Sequence, residues 1–305
     1  MKFLVTGGVG FIGTNLIKRL LKDGHEVISV DNYTTGKKEN EQDGCTYYNV
    51  DISNPRWWDF STTDMCEVTC DCQIDEVDGI FHLAALARIQ PSFEEPQSVY
   101  ESNVTGTQNI IEWSRNNGNI PIVYAGSSSV HGDHFANPYT FTKWQGELLV
   151  ELYSKVFNVP SCICRFYNVY GEHQITDGAY CAVIGIFEKQ FRKGTPLTVT
   201  GDGEQRRDFT YVGDIVDGIV KSMTAMHGEI DMNYCAETFE LGNGTNHSIN
   251  ELAEAFGGYP IEHIEERPGE MRETLNTDTK AREILGWKPT GDVIKFIKET
   301  YILDK

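Results

Sequence analysis

The stretch KFLVTGGVGFIGTNLIKRLLKDGHEVISVD, residues 2–31, decides the fold. It opens with a short apolar run, residues 2–6, and a glycine-rich turn, and it continues into a segment with helical spacing of apolar residues. A second apolar run, residues 26–30, ends at Asp31. Short apolar runs between turn residues predict buried strands, and the 3.6-residue period predicts a helix. The order of strand, glycine loop, helix, strand and acid is typical of the first unit of a dinucleotide-binding sheet.

Each glycine of this loop has a physical task in such a site. Gly7 permits the tight turn, Gly10 lets a pyrophosphate approach the backbone, and Gly13 lets the helix pack closely on the strand. The helix that opens at Phe11 and Ile12 has free backbone N–H groups and the positive end of its dipole at this point. We therefore expect all five residues to belong to the binding site of a dinucleotide.

The acid at the end of the second strand selects the dinucleotide. Asp31 can accept hydrogen bonds from the adenosine ribose hydroxyls, and Asn32 follows it where an arginine would suit a 2′-phosphate. A 2′-phosphate would meet a carboxylate, so NAD is favoured over NADP. Asp51 is expected to reach the adenine amine. The other residues expected at the cofactor are Ile52, Leu83, Ala84, Ala85 and Asn103.

Strand and helix signals alternate up to about residue 170. Strands are expected to end near residue 52 and to span 79–83, 120–125 and 160–166, with amphipathic helices at 96–117 and 139–157. Beyond residue 170 the alternation weakens and loops are expected to dominate. The pattern predicts an α/β fold, a doubly wound parallel (Rossmann) sheet with a smaller C-terminal α/β substrate-binding region. We expect residues 1–170 to form the NAD-binding domain, with later segments returning to it, and residues 171–305 to bind mainly the substrate.

Composition limits the partners. The 305 residues carry a formal net charge of -19, which opposes binding to nucleic acid. No run is long and apolar enough to span a membrane, and the N-terminus lacks a secretory pattern, so a cytoplasmic protein with free thiols is expected. Residues 54–76 are polar and irregular, and they are expected to form a helix-like crossover with an insertion. This segment holds Cys66, Cys70 and Cys72, whose spacing does not favour zinc. No metal site is expected.

Tyr139 and Lys143, in NPYTFTKWQGE, are four residues apart and share one face of a helix. A lysine ammonium beside a phenol favours the phenolate and lowers its pKa. Ser127, in AGSSSVHG at the end of a strand, can share a proton with the phenol. The three residues predict a general acid/base unit for an alcohol substrate.

With these motifs in place, the sequence resembles the extended short-chain dehydrogenase/reductase family, and within it the UDP-glucose 4-epimerase-like nucleotide-sugar enzymes. The segments that carry the resemblance, in the order in which the family has them, are TGGVGFIG, HLAALARIQPSFEEP, NVTGTQNII, SSSVHG, PYTFTK, RFYNVYG, GDGEQRRDFTYV and RPGEMRETLNTDTKAREILGWKP. The resemblance implies that Tyr139 is the catalytic base, and that Lys143 is its partner and holds the nicotinamide ribose. It also implies that Ser127 is the catalytic hydroxyl.

The resemblance further implies how a nucleotide sugar is held. Asn168 matches an asparagine at the sugar diphosphate, Arg207 and Arg267 match arginines that clamp it, and Glu270 matches an acid that holds the nucleoside ribose. Arg88 either reaches the sugar or cofactor or lies in solvent. Two departures stand out. Residues 132–138 form a shorter loop than the family's, and His131 replaces a tyrosine.

The implied reaction is C4 epimerisation of UDP-glucose/UDP-galactose or UDP-GlcNAc/UDP-GalNAc through a 4-keto sugar. Thr274 is small, and we expect it to leave room for an N-acetyl group. Ser128 and Ser129 replace the Asp-Glu pair of the family's dehydratases, so dehydration is disfavoured. UDP-glucuronate decarboxylation or 4-epimerisation, another nucleotide-sugar oxidoreduction, and a non-catalytic NAD-binding regulator stay open. The resemblance also implies a homodimer formed through the helices at 97–117 and 139–157.

Overall fold

The computed structural model describes residues 1–59, 74, 76–229, 236–266, 269 and 271–303. Its centre is a seven-stranded parallel sheet with the order β10-β6-β5-β4-β1-β2-β3. The strands in chain order are β1 (Lys2–Thr6), β2 (Glu26–Asp31), β3 (Cys45–Asn49), β4 (Gly79–His82), β5 (Ile122–Ser127), β6 (Ser161–Phe166), β7 (Asn168–Tyr170), β8 (Leu197–Thr200), β9 (Arg206–Tyr211), β10 (Glu237–Leu241), β11 (Asn246–Ser248) and β12 (Ile261–Ile264).

Helices cover both faces of this sheet. The helices in chain order are α1 (Phe11–Lys22), α2 (Ile89–Glu94), α3 (Pro96–Tyr100), α4 (Gly106–Asn116), α5 (Pro138–Phe157), α6 (Val183–Lys193), α7 (Val212–Thr224), α8 (Ile249–Glu254), α9 (Lys280–Ile284) and α10 (Val293–Lys298). A π-helical turn, Glu101–Thr105, joins α3 to α4. The helix predicted over 96–117 is therefore present, with a π-helical turn in its middle.

The order of the strands creates the ligand crevice. β1 lies between β2 and β4, so the chain leaves β1 in one direction for β2 and β3 and crosses to the other side for β4, β5 and β6. In open parallel sheets, ligands bind outside the carboxyl ends of the strands at such a switch point. The predicted doubly wound α/β fold is confirmed. One boundary differs, because β3 ends at Asn49 and leaves Asp51 in the loop that follows.

Both faces of the sheet are sealed by apolar side chains. On one face Leu16 and Ile17 of α1 and Ile219 of α7 pack in one cluster, each with no exposed surface. On the other face Ile110 of α4 and Val150 of α5 belong to a second cluster. Burial of each such side chain stabilises the fold by about 1.5–3 kcal/mol. The helices are thereby fixed relative to the strand ends that carry the site.

The chain beyond residue 170 contains more regular structure than its sequence predicts. α6, α8 and α10 share a third apolar cluster, and β7, β9 and β11 form one small sheet while β8 and β12 form another. β10 returns to the central sheet and pairs with β6. The expectation that loops dominate here is wrong. The sequence did not reveal these strands because each is only three to six residues long, which is too short to show a clear hydrophobic period.

Candidate active site

A cleft of about 670 Å³ runs along the carboxyl ends of β1, β2, β4 and β5 and continues to β7 and β9. The predicted residues that line it are Gly7, Gly10, Phe11, Ile12, Gly13, Asp31, Asn32, Asp51, Ile52, Leu83, Ala84, Ala85, Arg88, Ser127, Tyr139, Lys143, Asn168, Arg207 and Thr274. Arg267 and Glu270 lie outside the described residues. The structure therefore brings together side chains that are as far apart in sequence as Gly7 and Thr274.

The glycine loop has the shape that a dinucleotide needs. A Cβ on Gly13 would lie 2.2 Å from the carbonyl oxygen of Gly7, and Gly7 itself has a φ of +75° and lies against Ala84. At Gly10 the one atom within 4 Å of such a Cβ is that same carbonyl oxygen, at 3.2 Å, so its open side faces the cleft. Gly10 also caps α1, whose first N–H groups have no partner within the helix. The loop fits a pyrophosphate.

The two predicted acids, Asp31 and Asp51, line the cleft beside the glycine loop. Asp31 accepts hydrogen bonds from the backbone N–H groups of Val9 (3.1 Å) and Tyr33 (2.8 Å), so its carboxylate also holds the glycine loop. Asp51 accepts from the side-chain amide of Asn32, at 3.0 Å. Burial raises the pKa of Asp31, although these hydrogen bonds act against the rise. Each acid keeps oxygen lone pairs for a ligand.

The floor of the cleft between β1 and β4 is held by hydroxyl groups. Thr6 Oγ1 accepts from the N–H groups of Leu83 (3.2 Å) and Ala84 (3.1 Å) and contacts His82 Nδ1 at 2.7 Å. Burial lowers the pKa of His82 to about 3, so the imidazole is neutral. Through its contact with Thr6 Oγ1 it helps to fix the floor of the cleft.

Asn103 is placed differently from its prediction. Its side-chain oxygen accepts from Leu86 N (2.8 Å), and its amide donates to Leu86 O (3.2 Å) and Thr142 Oγ1 (3.1 Å). It is fully buried in the π-helical turn behind the wall of the cleft. The contact of Asn103 with the cofactor stays a prediction, since Asn103 does not line the cleft and its hydrogen bonds go to the loop after β4 and to α5.

Ser127 and Tyr139 form the centre of the site. Ser127 is the last residue of β5, and Tyr139 lies in the first turn of α5, which Asn137 caps through a hydrogen bond from Thr140 N (2.8 Å). The Tyr139 hydroxyl donates to Ser127 Oγ at 3.1 Å, and Ser127 Oγ donates to Ser129 Oγ at 3.0 Å. The predicted proton-sharing pair is thus in hydrogen-bond contact.

Lys143 lies one turn after Tyr139, but its ammonium has another partner. Its Nζ donates to Ala125 O at 2.5 Å and lies 4.4 Å from the centre of the Tyr124 ring. Burial lowers the pKa of Lys143 to about 8. Burial raises the pKa of Tyr139, and the Ser127 hydrogen bond and the charge of Arg88 oppose that rise. The expectation that Lys143 lowers the Tyr139 pKa is corrected, because the cation that acts on the phenol here is Arg88.

Arg88 is half-buried and belongs to the site rather than to solvent. Its Nε donates to Tyr180 O at 2.8 Å, and its Nη1 donates to Ala87 O at 3.1 Å. The bond to Tyr180 joins the loop after β4 to the segment before α6, and the bond to Ala87 lies within that loop. They hold a guanidinium at the catalytic end of the cleft.

The end of the cleft away from the glycine loop is built from β7, β9 and the strand-like segment near Thr274. Asn168 opens β7, and Arg207 in β9 donates from Nη1 to Arg206 O (2.9 Å) and Arg272 O (3.3 Å). Thr274 accepts at Oγ1 from Asp208 N at 3.3 Å and is almost fully buried in the wall. An arginine and an amide side chain therefore face the cleft at the end away from the glycine loop.

Sequence reasoning missed several residues of the site. Tyr180, Cys181 and Met271 line the cleft, and Tyr124 lies beneath Lys143. Glu147 was also missed, although its position four residues after Lys143 places it on the same helical face and could have identified it.

The remaining expectations concern metals, thiols and membranes. Cys66, Cys70 and Cys72 lie outside the described residues, and in the described part of the chain no cluster of metal-ligating side chains occurs. Cys162 and Cys164 are free and buried, as packing residues of β6. Among the helices that the structure describes, none has the length and hydropathy needed to cross a bilayer.

A sequence profile described as the NAD dependent epimerase/dehydratase family matches residues 3–235. The chain belongs to this family. Within the family, UDP-glucose 4-epimerase of Mycolicibacterium smegmatis is 30% identical to it, over 98% of this chain and 97% of that protein. The resemblance read from the motifs is confirmed.

Solved structures of the family superpose on the whole chain. UDP-glucose 4-epimerase of Thermotoga maritima, solved with UDP-glucose, has a TM-score of 0.86 and 28% identity, over 99% of this chain and 97% of that one. UDP-glucuronic acid 4-epimerase of Bacillus cereus, solved with UDP-glucuronic acid and NAD, has a TM-score of 0.80 and 28% identity, over 99% and 98%. The predicted cofactor, NAD, is confirmed by the family, and the glycine loop with Asp31 is the part of this chain that fits it.

Proposed function

We propose that this chain catalyses the NAD-dependent C4 epimerisation of a UDP-hexose through a 4-keto sugar. The observation that carries the proposal is one continuous cleft in which the Tyr139–Ser127 hydrogen bond lies between the glycine loop and Arg207. A dinucleotide at the first end and a sugar diphosphate at the second would bring the sugar to the phenol.

In this mechanism, the Tyr139 oxygen takes the proton of the sugar C4 hydroxyl, and Ser127 Oγ, 3.1 Å away, shares it. NAD, when bound, supplies the acceptor and later the donor of the hydride at C4. Arg207 and Asn168 hold the diphosphate while the 4-keto sugar rotates in the site to present its opposite face. Arg207 suits this role because a guanidinium fork matches phosphate oxygens. Tyr139 then returns its proton to the oxygen of the inverted alcohol, so no proton is gained or lost.

The positive charge that this chemistry needs comes from Arg88, whose charge acts on the Tyr139 phenol. Because burial raises the pKa of Tyr139, an anionic phenolate requires such a charge nearby. Lys143, one helical turn away, faces Ala125 and the cleft, where it would hold the nicotinamide ribose.

A second candidate is a UDP-uronate substrate, with 4-epimerisation or decarboxylation as the reaction. The observation that favours it is Arg88, a half-buried guanidinium at the catalytic end that could pair with a C6 carboxylate. The relative from Bacillus cereus is a UDP-glucuronic acid 4-epimerase. Dehydration is disfavoured, because Ser128 and Ser129 offer no carboxyl group for the elimination.

The test is proton NMR of the purified protein with UDP-glucose, UDP-galactose, UDP-N-acetylglucosamine or UDP-glucuronate and catalytic NAD. We expect the anomeric signal of a C4-inverted sugar to grow to a fixed ratio from one or more of the first three. Inversion or loss of CO₂ with UDP-glucuronate alone would favour the second candidate. No change in any of the four sugars, with NAD bound, would contradict both and favour a non-catalytic NAD-binding regulator.

We also propose a homodimer formed through the helical segment 97–117, which spans α3 and α4, and through α5. Leu148, Leu152 and Val156 are 45–57% exposed and follow a four-residue spacing along α5, and Tyr100 of α3 is 44% exposed. An exposed apolar stripe on two packed helices is typical of a helix-bundle interface. Sedimentation velocity of the wild type and of Leu152→Glu tests this, with a monomeric wild type as the contradicting result.

A further inference from the structure

Four ionisable side chains form a continuous ionic chain beneath the catalytic residues. They are Glu147 of α5, Arg165 of β6, Glu240 of β10 and His131 in the turn after Ser127. Arg165 donates to Glu147 from Nη2 (2.7 Å) and to Glu240 from Nη1 (3.0 Å). His131 Nε2 contacts the same Glu240 oxygen at 3.0 Å.

The inner end of the ionic chain lies against the strand that carries Ser127. Glu147 is 2% exposed, and a Cβ on Gly126 would lie 2.8 Å from its Oε1. Lys143 Nζ bonds to the carbonyl of Ala125. The carboxylate and the ammonium therefore contact consecutive residues of β5, directly before the serine.

This arrangement needs Arg165. Glu147 and Lys143 are one turn apart on α5, a spacing at which a free carboxylate attracts an ammonium. The Arg165 Nε also donates to both Glu147 oxygens, at 3.2 and 3.1 Å, and so holds the carboxylate on its own side. Lys143 is left free to face Ala125 and the cleft.

The outer end connects the same network to solvent. His131 is 45% exposed, whereas Glu240 is 9% exposed. Glu147, Arg165 and Glu240 together carry one net negative charge, and a protonated His131 cancels it. Buried charges are tolerated when they are paired, so His131 completes the network. Tyr167 also interacts with Glu240, and the charges of Arg165 and Glu147 act on His131 as well.

We propose that His131 and Glu240 are positioning residues for the catalytic unit. Through Arg165 they keep Glu147 off Lys143, and through the turn 127–131 they tie Ser127 to the edge of the sheet. The geometry of Ser127, Tyr139 and Lys143 thus depends on the contact between His131 and Glu240. Only the kinetic test of this inference rests on the proposed function.

The first measurement needs no turnover. The Cε1–H signal of His131 is assigned by its loss in His131→Gln, and it is titrated in the wild type and in Glu240→Gln. The Glu240 hydrogen bond raises the pKa of His131 above its usual value, so the midpoint should fall in Glu240→Gln. An unchanged midpoint would overturn the proposal.

The second measurement is steady-state epimerisation by His131→Phe and His131→Gln, with His227→Phe as the control. His227 is an exposed residue of the helical turn that follows α7, and it does not line the cleft. A misplaced acid/base group costs rate rather than binding, so we expect kcat of His131→Phe to fall about tenfold or more with KM changed about twofold at most. Glutamine retains a donor for Glu240, so His131→Gln should recover most of that loss.

Two outcomes separate this idea from its alternatives. A lower melting temperature in His131→Phe with unchanged kcat would make the contact merely structural and overturn the proposal. If the wild type turns over none of the sugars, the proposed function fails, while the titration of His131 still tests the ionic chain. If His131→Phe does not fold, Glu240→Gln with a wild-type kcat would overturn the inference.

Discussion

The cofactor end and the substrate end of the cleft are built from the chain in different ways. The cofactor end uses loops directly after β1, β2 and β4, so its residues follow apolar strands in a regular order. The substrate end takes Asn168, Arg207 and Thr274 from short elements that lie far apart in sequence. The first end is fixed by local chain geometry, whereas the second depends on packing of the small sheets against the large one. Substrate choice can therefore change without disturbing the cofactor loop.

The largest effect is expected where the two ends meet. Tyr139→Phe removes the hydroxyl that donates to Ser127 and keeps the ring. Loss of a general acid/base group typically costs about 10²–10⁴-fold, and we expect kcat to fall by that amount. NAD and UDP affinities, measured by calorimetry, should stay within about threefold because neither end of the cleft is changed. A variant that still epimerises at the wild-type rate would remove Tyr139 from the mechanism.

This contrast also explains what the sequence could and could not predict. The glycine loop, Asp31 and the Ser127, Tyr139 and Lys143 set were read from spacing, because helices and strands place such residues in known directions. The orientation of the Lys143 ammonium toward Ala125 could not be predicted from spacing, because it depends on β5 and on Tyr124 beneath the ammonium. Asn103 was assigned to the cofactor, yet its amide is used by Leu86. The Arg165–Glu147 pair joins two elements whose contact no sequence period reveals.

Two glycines allow the cofactor end to be tested for fold and for binding separately. A methyl at Gly13 would meet the Gly7 carbonyl oxygen, so Gly13→Ala should lose about 1–3 kcal/mol of unfolding free energy as well as NAD affinity. At Gly10 the methyl would project into the cleft at an ordinary φ of −76°. Gly10→Ala, whose methyl would lie 3.2 Å from the same carbonyl oxygen, should therefore lose less stability than Gly13→Ala and still lose NAD affinity. Denaturant titration measures the unfolding free energy of each variant, and calorimetry measures its NAD affinity. An equal loss of stability in both variants would contradict this distinction.

Arg207 provides the corresponding test of the substrate end. A charge-assisted hydrogen bond contributes about 1.5–3 kcal/mol, so Arg207→Ala should raise KM for the UDP-sugar about 10–100-fold. NAD affinity should not change. Arg206→Ala is the matched control, because that neighbouring guanidinium pairs with Glu251 and Asn246 instead. Steady-state kinetics of both variants provide the test. An equal rise in KM in Arg206→Ala and Arg207→Ala would contradict the idea that Arg207 holds the diphosphate.

Thr274 tests whether the substrate end sets the sugar. A tyrosine there would fill the wall of the cleft beside Asp208, so Thr274→Tyr should reduce kcat/KM for UDP-N-acetylglucosamine by about 10–100-fold. UDP-glucose, which lacks the N-acetyl group, should be affected much less. Thr274→Ser controls for loss of the methyl group alone. Full activity of the tyrosine variant on the N-acetylated sugar would contradict the idea that Thr274 makes room for that group.

The smallest effect concerns stability and lies in the ionic chain of Glu147, Arg165, Glu240 and His131. The hydrogen bond to Glu240 raises the pKa of His131 above 6.5, so the imidazolium is stabilised in the folded state. A raised histidine pKa contributes stability that is full below the unfolded value and is lost as the pH rises through the folded value. Because His131 is partly exposed, the contribution should be about 1 kcal/mol or less. Melting curves should therefore show His131→Gln below the wild type at pH 5.5 and nearer to it at pH 9. A gap between His131→Gln and the wild type that widens with pH would mean that the histidine is held in its neutral form, and that the Ser127 turn is joined to the sheet by a neutral hydrogen bond instead.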